Sequence, residues 1–435
     1  MQNLTVSLVI LAIIASIYLG EKLSTNTGYF ALGFAYLIGA FALDLGIKDI
    51  IGMWPTNLFL VIFCISLFFN FSNANGAMPK MAMNLLYRTR KYVKFLPLVL
   101  YFVTTLVSGM GAGFFTSVAL MGGIAMILCK NAKLEMITPS IAVALGALSG
   151  GNFMSSQHGN IFRGIIENTT LATNVESYVK DIFVVSFVYP IVVLILLILW
   201  NSRRNKDANH ELKLEKPEPF TSKQTISLSL VGVMIIIVLG FPMLQGFFPN
   251  VEWITFVNSK IDISFIALLL ALVSYMLKLA DPKEVTKSIP WDTIWLVCGV
   301  GVLVEVAVEA GAIEVLSGFV NSFPPILIPV AMCFIGGIMS FFSSTLGVVA
   351  PLMFPMVAAI SITSGISPSL LFVATIIGAQ STTLAPFSTG GTLIMSSSAL
   401  DDDERESLYH SFLYIATPLC LLFACVATLI IQMFF

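Results

Sequence analysis

The sequence predicts an all-α polytopic membrane protein, an inverted repeat of five spanning helices plus one re-entrant hairpin in each half, with broken helices at the midplane. Three observations carry this expectation. The 435 residues are 57% hydrophobic and 11% charged, with mean hydropathy +0.94, whereas a soluble globular chain carries about 25% charged residues. The stretch from Pro324 to Ala359 holds no charged residue, yet Phe341-Phe342-Ser343-Ser344-Thr345, Pro351 and Pro355 interrupt it. A single span needs roughly 20 residues, so this longer run reads as a hairpin, 324–360, with a polar tip buried in protein or facing water. Finally, the pattern recurs. Phe114-Phe115-Thr116-Ser117 repeats as Phe341-Phe342-Ser343-Ser344, Ile137-Thr138-Pro139-Ser140 as Ile366-Ser367-Pro368-Ser369, Gly76-Ala77-Met78 as Gly311-Ala312-Ile313, and Trp54 as Trp291, in the same order. Shared order marks an internal duplication.

In chain order, spans are expected at 4–20, 28–45 and 55–74, the first a retained helix because it lacks a basic leader. Residues 78–92 carry Lys80, Arg88, Arg90 and Lys91 beside Met81, Leu85 and Leu86 at helical spacing, which predicts an amphipathic arm at the interface. A hairpin, 95–129, follows, with Gly109, Gly111 and Gly113 at its tip. The run 138–166, opened by Thr138 as a cap before Pro139, is broken at Gly150-Gly151-Asn152. A span at 182–200 completes the first repeat, 1–200. Residues 201–223 form a linker of mixed charge. The second repeat, 224–435, has spans at 224–246, 261–279 and 291–310, a short arm at 312–321, the hairpin at 324–360, a broken helix at 367–398 and a last span at 409–434. An odd number of crossings per half inverts the second copy. With the linker inside, 18 of the 22 Lys and Arg fall on inside segments and only Lys48, Arg163, Lys180 and Lys260 outside, as the positive-inside rule requires. Both termini are then outside. The acidic stretch Asp401-Asp402-Asp403-Glu404 falls inside by the same count, as a loop. The six cysteines include no CxxC pair, so they read as packing residues.

Two hairpins and two broken helices bring four polar breaks to the membrane centre, the arrangement of inverted-repeat secondary transporters. Half-helix starts favour anions, half-helix ends leave carbonyls for cations. No Lys or Arg lies in any break, so an anion there would be held by hydroxyls, amides and dipoles beside co-bound cations. One deep histidine and no paired aspartates leave no metal- or aspartyl-protease site.

The order of spans, arm, hairpin and broken helix, duplicated and inverted, resembles the ion transporter superfamily. Within it, the divalent anion:sodium symporter group carries a Ser-Asn-Thr motif at each tip; Phe115-Thr116-Ser117 and Ser343-Ser344-Thr345 occupy those places without the asparagine. The first half is closest to MatC-type malonate/dicarboxylate carriers, through Asn73-Ala74-Asn75-Gly76 and the glycine-rich tip. The resemblance implies Na⁺-coupled uptake of a small di- or tricarboxylate, such as malonate or succinate, by an elevator movement of a homodimer in the bacterial cytoplasmic membrane. It implies no cofactor beyond Na⁺ as coupling ion. Substrate would meet Thr116, Ser117, His158, Ser343, Ser344, Thr345, Ser388 and Thr389. Na⁺ would meet Thr116, Gly150, Gly151, Asn152, Ser343, Gln380, Ser381 and Thr382, since the two breaks correspond to that group's sodium loops. His158 is either a substrate contact or a satisfied polar residue of the break. Glu305 and Glu309, one turn apart, are either functional carboxylates or, for Glu309, a side chain reaching water. A cation/proton antiporter or an arsenite-type permease of the same superfamily is the rival reading, with Glu305 or His158 as its titrating group.

Overall fold

The structure, a computed structural model, describes residues 2–435 apart from 24, 90–92, 133, 203–215, 249–250, 259, 313–314, 316–317, 319–322, 343–344, 387 and 396–399. Among the described residues the chain is helical, with no strand. The linker around His210, most of the arm at 312–321, and Ser343 and Ser344 at the second tip therefore lie outside the described residues.

The first half runs α1 (Gln2–Lys22), α2 (Thr27–Ala42), a short α3 (Ile47–Gly52), α4 (Thr56–Ala74), the basic arm α5 (Ala77–Thr89), α6 (Leu96–Val107), α7 (Gly113–Ala132), α8 (Ile137–Gly151), α9 (Gln157–Glu167) and α10 (Val175–Ser202). The second runs α11 (Ser222–Phe247), a short α12 (Glu252–Asn258), α13 (Ile263–Met276), a short α14 (Pro282–Lys287), α15 (Trp291–Glu309), α16 (Ile328–Phe342), α17 (Ala350–Ser364), α18 (Pro368–Ser381), α19 (Thr389–Met395), α20 (Asp402–Ser411) and α21 (Thr417–Ile431). Among the described residues five helices, counted through their kinks, are long and apolar enough to cross a membrane, and α4 with the arm α5 passes as a pair bent by 62°. Several expected spans, such as Thr27–Ala42, are shorter apolar helices.

Local backbone geometry repeats between the halves. Pro55 (φ −75°, ψ 75°) and Pro290 (φ −78°, ψ 67°) precede α4 and α15 in the same tight turn, closed by N–H···O bonds from Thr56 to Trp54 and from Trp291 to Ile289, both 2.8 Å. α4 and α15 each span 19 residues, and each ends before a left-handed glycine, Gly76 (φ 77°) and Gly311 (φ 82°). Asp44 and Lys278, the described non-glycine residues with positive φ, each follow the equivalent helices α2 and α13 by two positions. The pairing of Trp54 with Trp291 is thus corrected: Pro55 answers Pro290, and the tryptophans flank them. Packing repeats as well. α6 packs on α8 as α16 packs on α18, α2 on α15 as α13 on α4, and α7 on α19 as α17 on α9. A Cβ on Gly150 would strike the Thr105 carbonyl oxygen, and one on Gly378 the Cys333 carbonyl oxygen; both glycines permit backbone contact between helices.

α8 and α18 are the centre of the molecule, buried from Thr138 to Gly151 and from Ser369 to Ser381. Two caps differ from expectation. α8 begins at Ile137, one residue before Thr138, and the Glu135 carboxylate caps it, accepting from the Ile137 N–H (3.0 Å) and the Thr138 hydroxyl (3.0 Å). The acidic stretch is not a loop: Asp401 and Glu404 form a capping box that starts α20, which runs on through a π-type turn, Phe412–Ala416, into α21. A carboxylate-rich first turn suits the positive end of a helix.

Polar bonds sort the connections onto two faces. Asn26 Nδ2 donates to the Asp292 carbonyl (2.7 Å), Lys80 Nζ to the Pro219 carbonyl (2.9 Å), and Lys130 Nζ lies 2.9 Å from Glu404 Oε2 and 3.5 Å from Asp401 Oδ2. These are segments that the charge count assigns to the basic face, and Lys130 brings the acidic stretch to them. On the other face Arg163 pairs with Glu176 (2.8 Å) and Ser369 donates to Asp181 (2.7 Å).

Candidate functional site

At the first tip, the π-type turn Ser108–Ala112 joins α6 to α7. Gly111 (φ 102°, ψ 8°) and Gly113 (φ 73°, ψ 169°) break the helical path there. A Cβ on Gly111 would overlap the Phe69 ring, so only glycine lets the tip lie against α4. α7 then starts at Gly113, and its first turn points unbonded N–H groups outward.

That turn closes the inner end of a cavity of about 1030 Å³. Its walls come from the start of α2 (Asn26, Tyr29), the last turns of α4 (Ser66, Phe69, Asn70), the end of α14 (Lys287) and the start of α15 (Trp291, Asp292, Thr293). Gln157 from the first break and Leu346 from the second tip complete the inner end. Lys287, Trp291 and Asp292 are exposed, so the mouth lies on the basic face. Inside, Thr116 is exposed to the cavity, whereas Phe114 beside it is buried. Helix starts favour an anion by typically 0.3–1 kcal/mol each, more when partly buried, and here the α7 start, the Gln157 amide and Lys287 act on one space.

Of the residues singled out in the sequence, Thr116 lines this cavity. Ser117, one residue on, is fully buried, and its Oγ has no hydrogen-bond partner among the described residues. His158 is buried and belongs to a chain of bonds behind the wall: its Nδ1 lies 3.2 Å from Asn152 Oδ1, Asn152 Nδ2 donates to Ser186 Oγ (3.0 Å), and Ser186 Oγ donates to the Ile182 carbonyl (2.6 Å). Its ring rests on Gly151 and near the Phe114 ring, with centroids 6.0 Å apart. His158 thus positions the first break against the first tip. Phe114 also meets the second break, since its Cζ is 3.3 Å from where a Gly390 Cβ would stand.

The second break is built from hydroxyls that bond its own carbonyls. Ser381 Oγ donates to the Gly378 carbonyl (2.6 Å), Thr382 Oγ1 to the Gly337 carbonyl (3.1 Å) across to α16, and Ser388 Oγ to the Ala385 carbonyl (2.8 Å). Gln380, the counterpart of Asn152, is buried, and its Nε2 has no partner among the described residues. Thr345 pairs with Ser340 (3.1 Å), Thr389 opens α19, and Ser343 and Ser344 fall outside the described residues. Among the described residues none of the second break lines the cavity, and Leu346 is what the second tip contributes. Gln157, Asn70, Ser66, Asn26 and Lys287 were missed in the sequence. Gln157 stood in a polar run, but the wall of α2, α4, α14 and α15 leaves no local signal. Glu309 is exposed and Glu305 half-buried, neither in this cavity.

The helices thus enclose a cavity that ends at the first tip, with Gln157 of the first break and Leu346 of the second tip beside it. Residues 2–151 match the family described as dicarboxylate carrier protein MatC N-terminus, which bears out the MatC resemblance for the first third of the chain. The fold is similar to the YdaH transporter of Alcanivorax borkumensis, with TM-score 0.55 and 14% identity over 88% of this chain and 87% of that one. It is equally similar to MtrF of Neisseria gonorrhoeae, with TM-score 0.55 and 15% identity over 91% of this chain and 84% of that one. No curated protein gives a match. The structural likeness shows a shared helical fold, and the family match covers the amino-terminal third of the chain.

Proposed function

We propose that the chain is a secondary active transporter that carries a small di- or tricarboxylate together with Na⁺. The observation that supports this most is the cavity, which leads from Lys287 to the start of α7, Thr116 and the Gln157 amide. These groups are donors and positive ends, suited to a carboxylate. The match of residues 2–151 to dicarboxylate carriers points to the same chemistry. Two carboxylates desolvated together are costly unless cations enter with them. Na⁺ is assigned to the first tip with Gly150, Gly151 and Asn152, and to the second tip with Gln380, Ser381 and Thr382; substrate then meets Thr116, Ser117, Ser344 and Thr345. By the positive-inside rule the basic face is cytoplasmic, and the cavity is inward-open. Repeats inverted across the membrane provide the outward-open state when they exchange conformations. The hairpins and broken helices move as a body against α1–α5 and α11–α15, which hold a homodimer in the bacterial cytoplasmic membrane.

In proteoliposomes, uptake of malonate or succinate should require external Na⁺ and rise with an inside-negative potential, each net charge gaining about 2.3 kcal/mol per 100 mV. Uptake that ignores Na⁺ and follows a pH gradient overturns the sodium assignment and favours proton coupling. A second reading is export: MtrF is described as illuminating a class of antimetabolite efflux pumps, and a cavity open to the basic face is where an exporter loads. Counterflow from substrate-loaded vesicles separates the two directions.

A further inference from the structure

We propose that Glu305 lines a second opening of the substrate path, on the face opposite the described cavity, and that its carboxylate favours small monovalent cations over anions there. The inference rests on the inverted-repeat, alternating-access reading above. α4 and α15 are both 19 residues long, begin after the same proline turn and end before the same left-handed glycine. Laid on one another, Ile65, Ser66, Phe69 and Asn70, which line the cavity, fall on Val300, Gly301, Val304 and Glu305. Asn26, also in the cavity wall, caps α2 by accepting from the Gly28 N–H; its counterpart Asp262 caps α13 by accepting from the Phe265 N–H. Lys287, three residues before Pro290, has Gly52 as its counterpart before Pro55.

The two walls therefore differ in charge. The described wall holds one cation and one carboxylate, Lys287 and Asp292. The counterparts of its lining residues hold two carboxylates, Asp262 and Glu305, and no cation. In this structure that second wall is shut: Val300 and Val304 are buried in one cluster with Val348 of the second tip. Glu309, one turn beyond Glu305, is exposed, so this end of α15 is at the surface. α15 meets the second tip as α4 meets the first, so exchange of the arrangements of the two repeats opens the Glu305 side as it closes the Asn70 side. A carboxylate at a narrow, poorly solvated entrance attracts cations and repels anions.

The test uses thiol accessibility in the full-length protein in oriented vesicles and needs no transported substrate. Asn70→Cys should react with membrane-impermeant methanethiosulfonates from the basic face, and Glu305→Cys and Val300→Cys from the opposite face. At Val300→Cys the cationic reagent should outpace the anionic one several-fold, after correction for their rates on a free thiol, and adding Glu305→Gln should remove that preference. Reaction of Val300→Cys and Glu305→Cys from the basic face overturns the proposal. So does their inertness from either face while Glu309→Cys and Asn70→Cys react, or an absence of charge preference. Val300→Cys keeps the carboxylate, so the proposal stays testable if the Glu305 variants do not fold. Loss of Na⁺-dependent uptake in the preceding experiment would leave this labelling pattern unchanged, so the two failures are separable.

Discussion

Gly150 and Gly378 illustrate how single residues fix the helix spacing around the site. The atoms a Cβ would strike are backbone carbonyls, of Thr105 and Cys333, which cannot swing aside as a side chain can. Gly150→Ala and Gly378→Ala should each destabilise by about 1–3 kcal/mol, the usual cost of overpacking, read as a lower unfolding temperature in detergent. Gly33, with no atom within 4 Å of an added Cβ, is the control: Gly33→Ala should gain about 0.5–1 kcal/mol from helix propensity. Equal effects at Gly33 and Gly150 would mean that these helices are not in backbone contact. Asp401 offers a charge test on the basic face. The Glu404 N–H first, and Lys130 after it, hold its carboxyl below the ordinary value of 3.8. A depressed folded-state pKa contributes stability above the unfolded pKa and loses it as pH falls through the folded one. Asp401→Asn should therefore lower the unfolding temperature at pH 7, and the gap to wild type should close as pH falls below about 4. A gap that persists at low pH would assign the effect to packing rather than charge.

Among elements, the bend between α4 and the arm α5 turns on Gly76, and Gly311 follows α15 in the same left-handed conformation. Both have positive φ, which costs a residue with a Cβ roughly 1–2 kcal/mol. Gly76→Ala and Gly311→Ala should destabilise by similar amounts, because the two turns are copies; a neutral result at one position alone would separate them. The second tip packs on α15 in the same spirit, since a Cβ on Gly347 would overlap the Leu296 side chain. Gly347→Cys with Leu296→Cys, bridged by a bifunctional reagent, should stop transport while ligand-induced thermal stabilisation persists. Undiminished transport in the bridged protein would exclude a tip that slides past α15.

For the whole molecule, the bonds that join Asn26 to Asp292, Lys80 to Pro219 and Lys130 to Glu404 gather the basic segments on one face. A cysteine at His210, in the linker, should label from the cytoplasmic side of intact cells only after permeabilisation, and one at Asn250 without it. External labelling at position 210 would invert the assignment of faces and, with it, the inward-open reading of the cavity.

Much of the architecture was legible in the sequence because membrane insertion writes itself locally. Apolar runs, prolines and glycines mark where helices begin, break and end, and repeated order exposes the duplication. Ser117, Asn152 and Gln380 were found for that reason, as polar residues where apolar ones are the rule. The caps at Glu135 and Asp401 were not, since a carboxylate near a membrane edge reads equally as loop or helix start until its N–H partners are in place. Nor was the cavity wall. Asn26, Asn70, Gln157 and Lys287 stand on four separate elements, each unremarkable in its own stretch, and their meeting is set by the backbone contact of α2 with α15 at Gly28 and Gly299. The packing of the first break on α10 places His158 against Asn152 behind the wall. Periodicity and composition are properties of neighbours along the chain, so the sequence determined the helices and where they break. A cavity is a property of neighbours in space, and only the packing of the two halves decided which side chains share it.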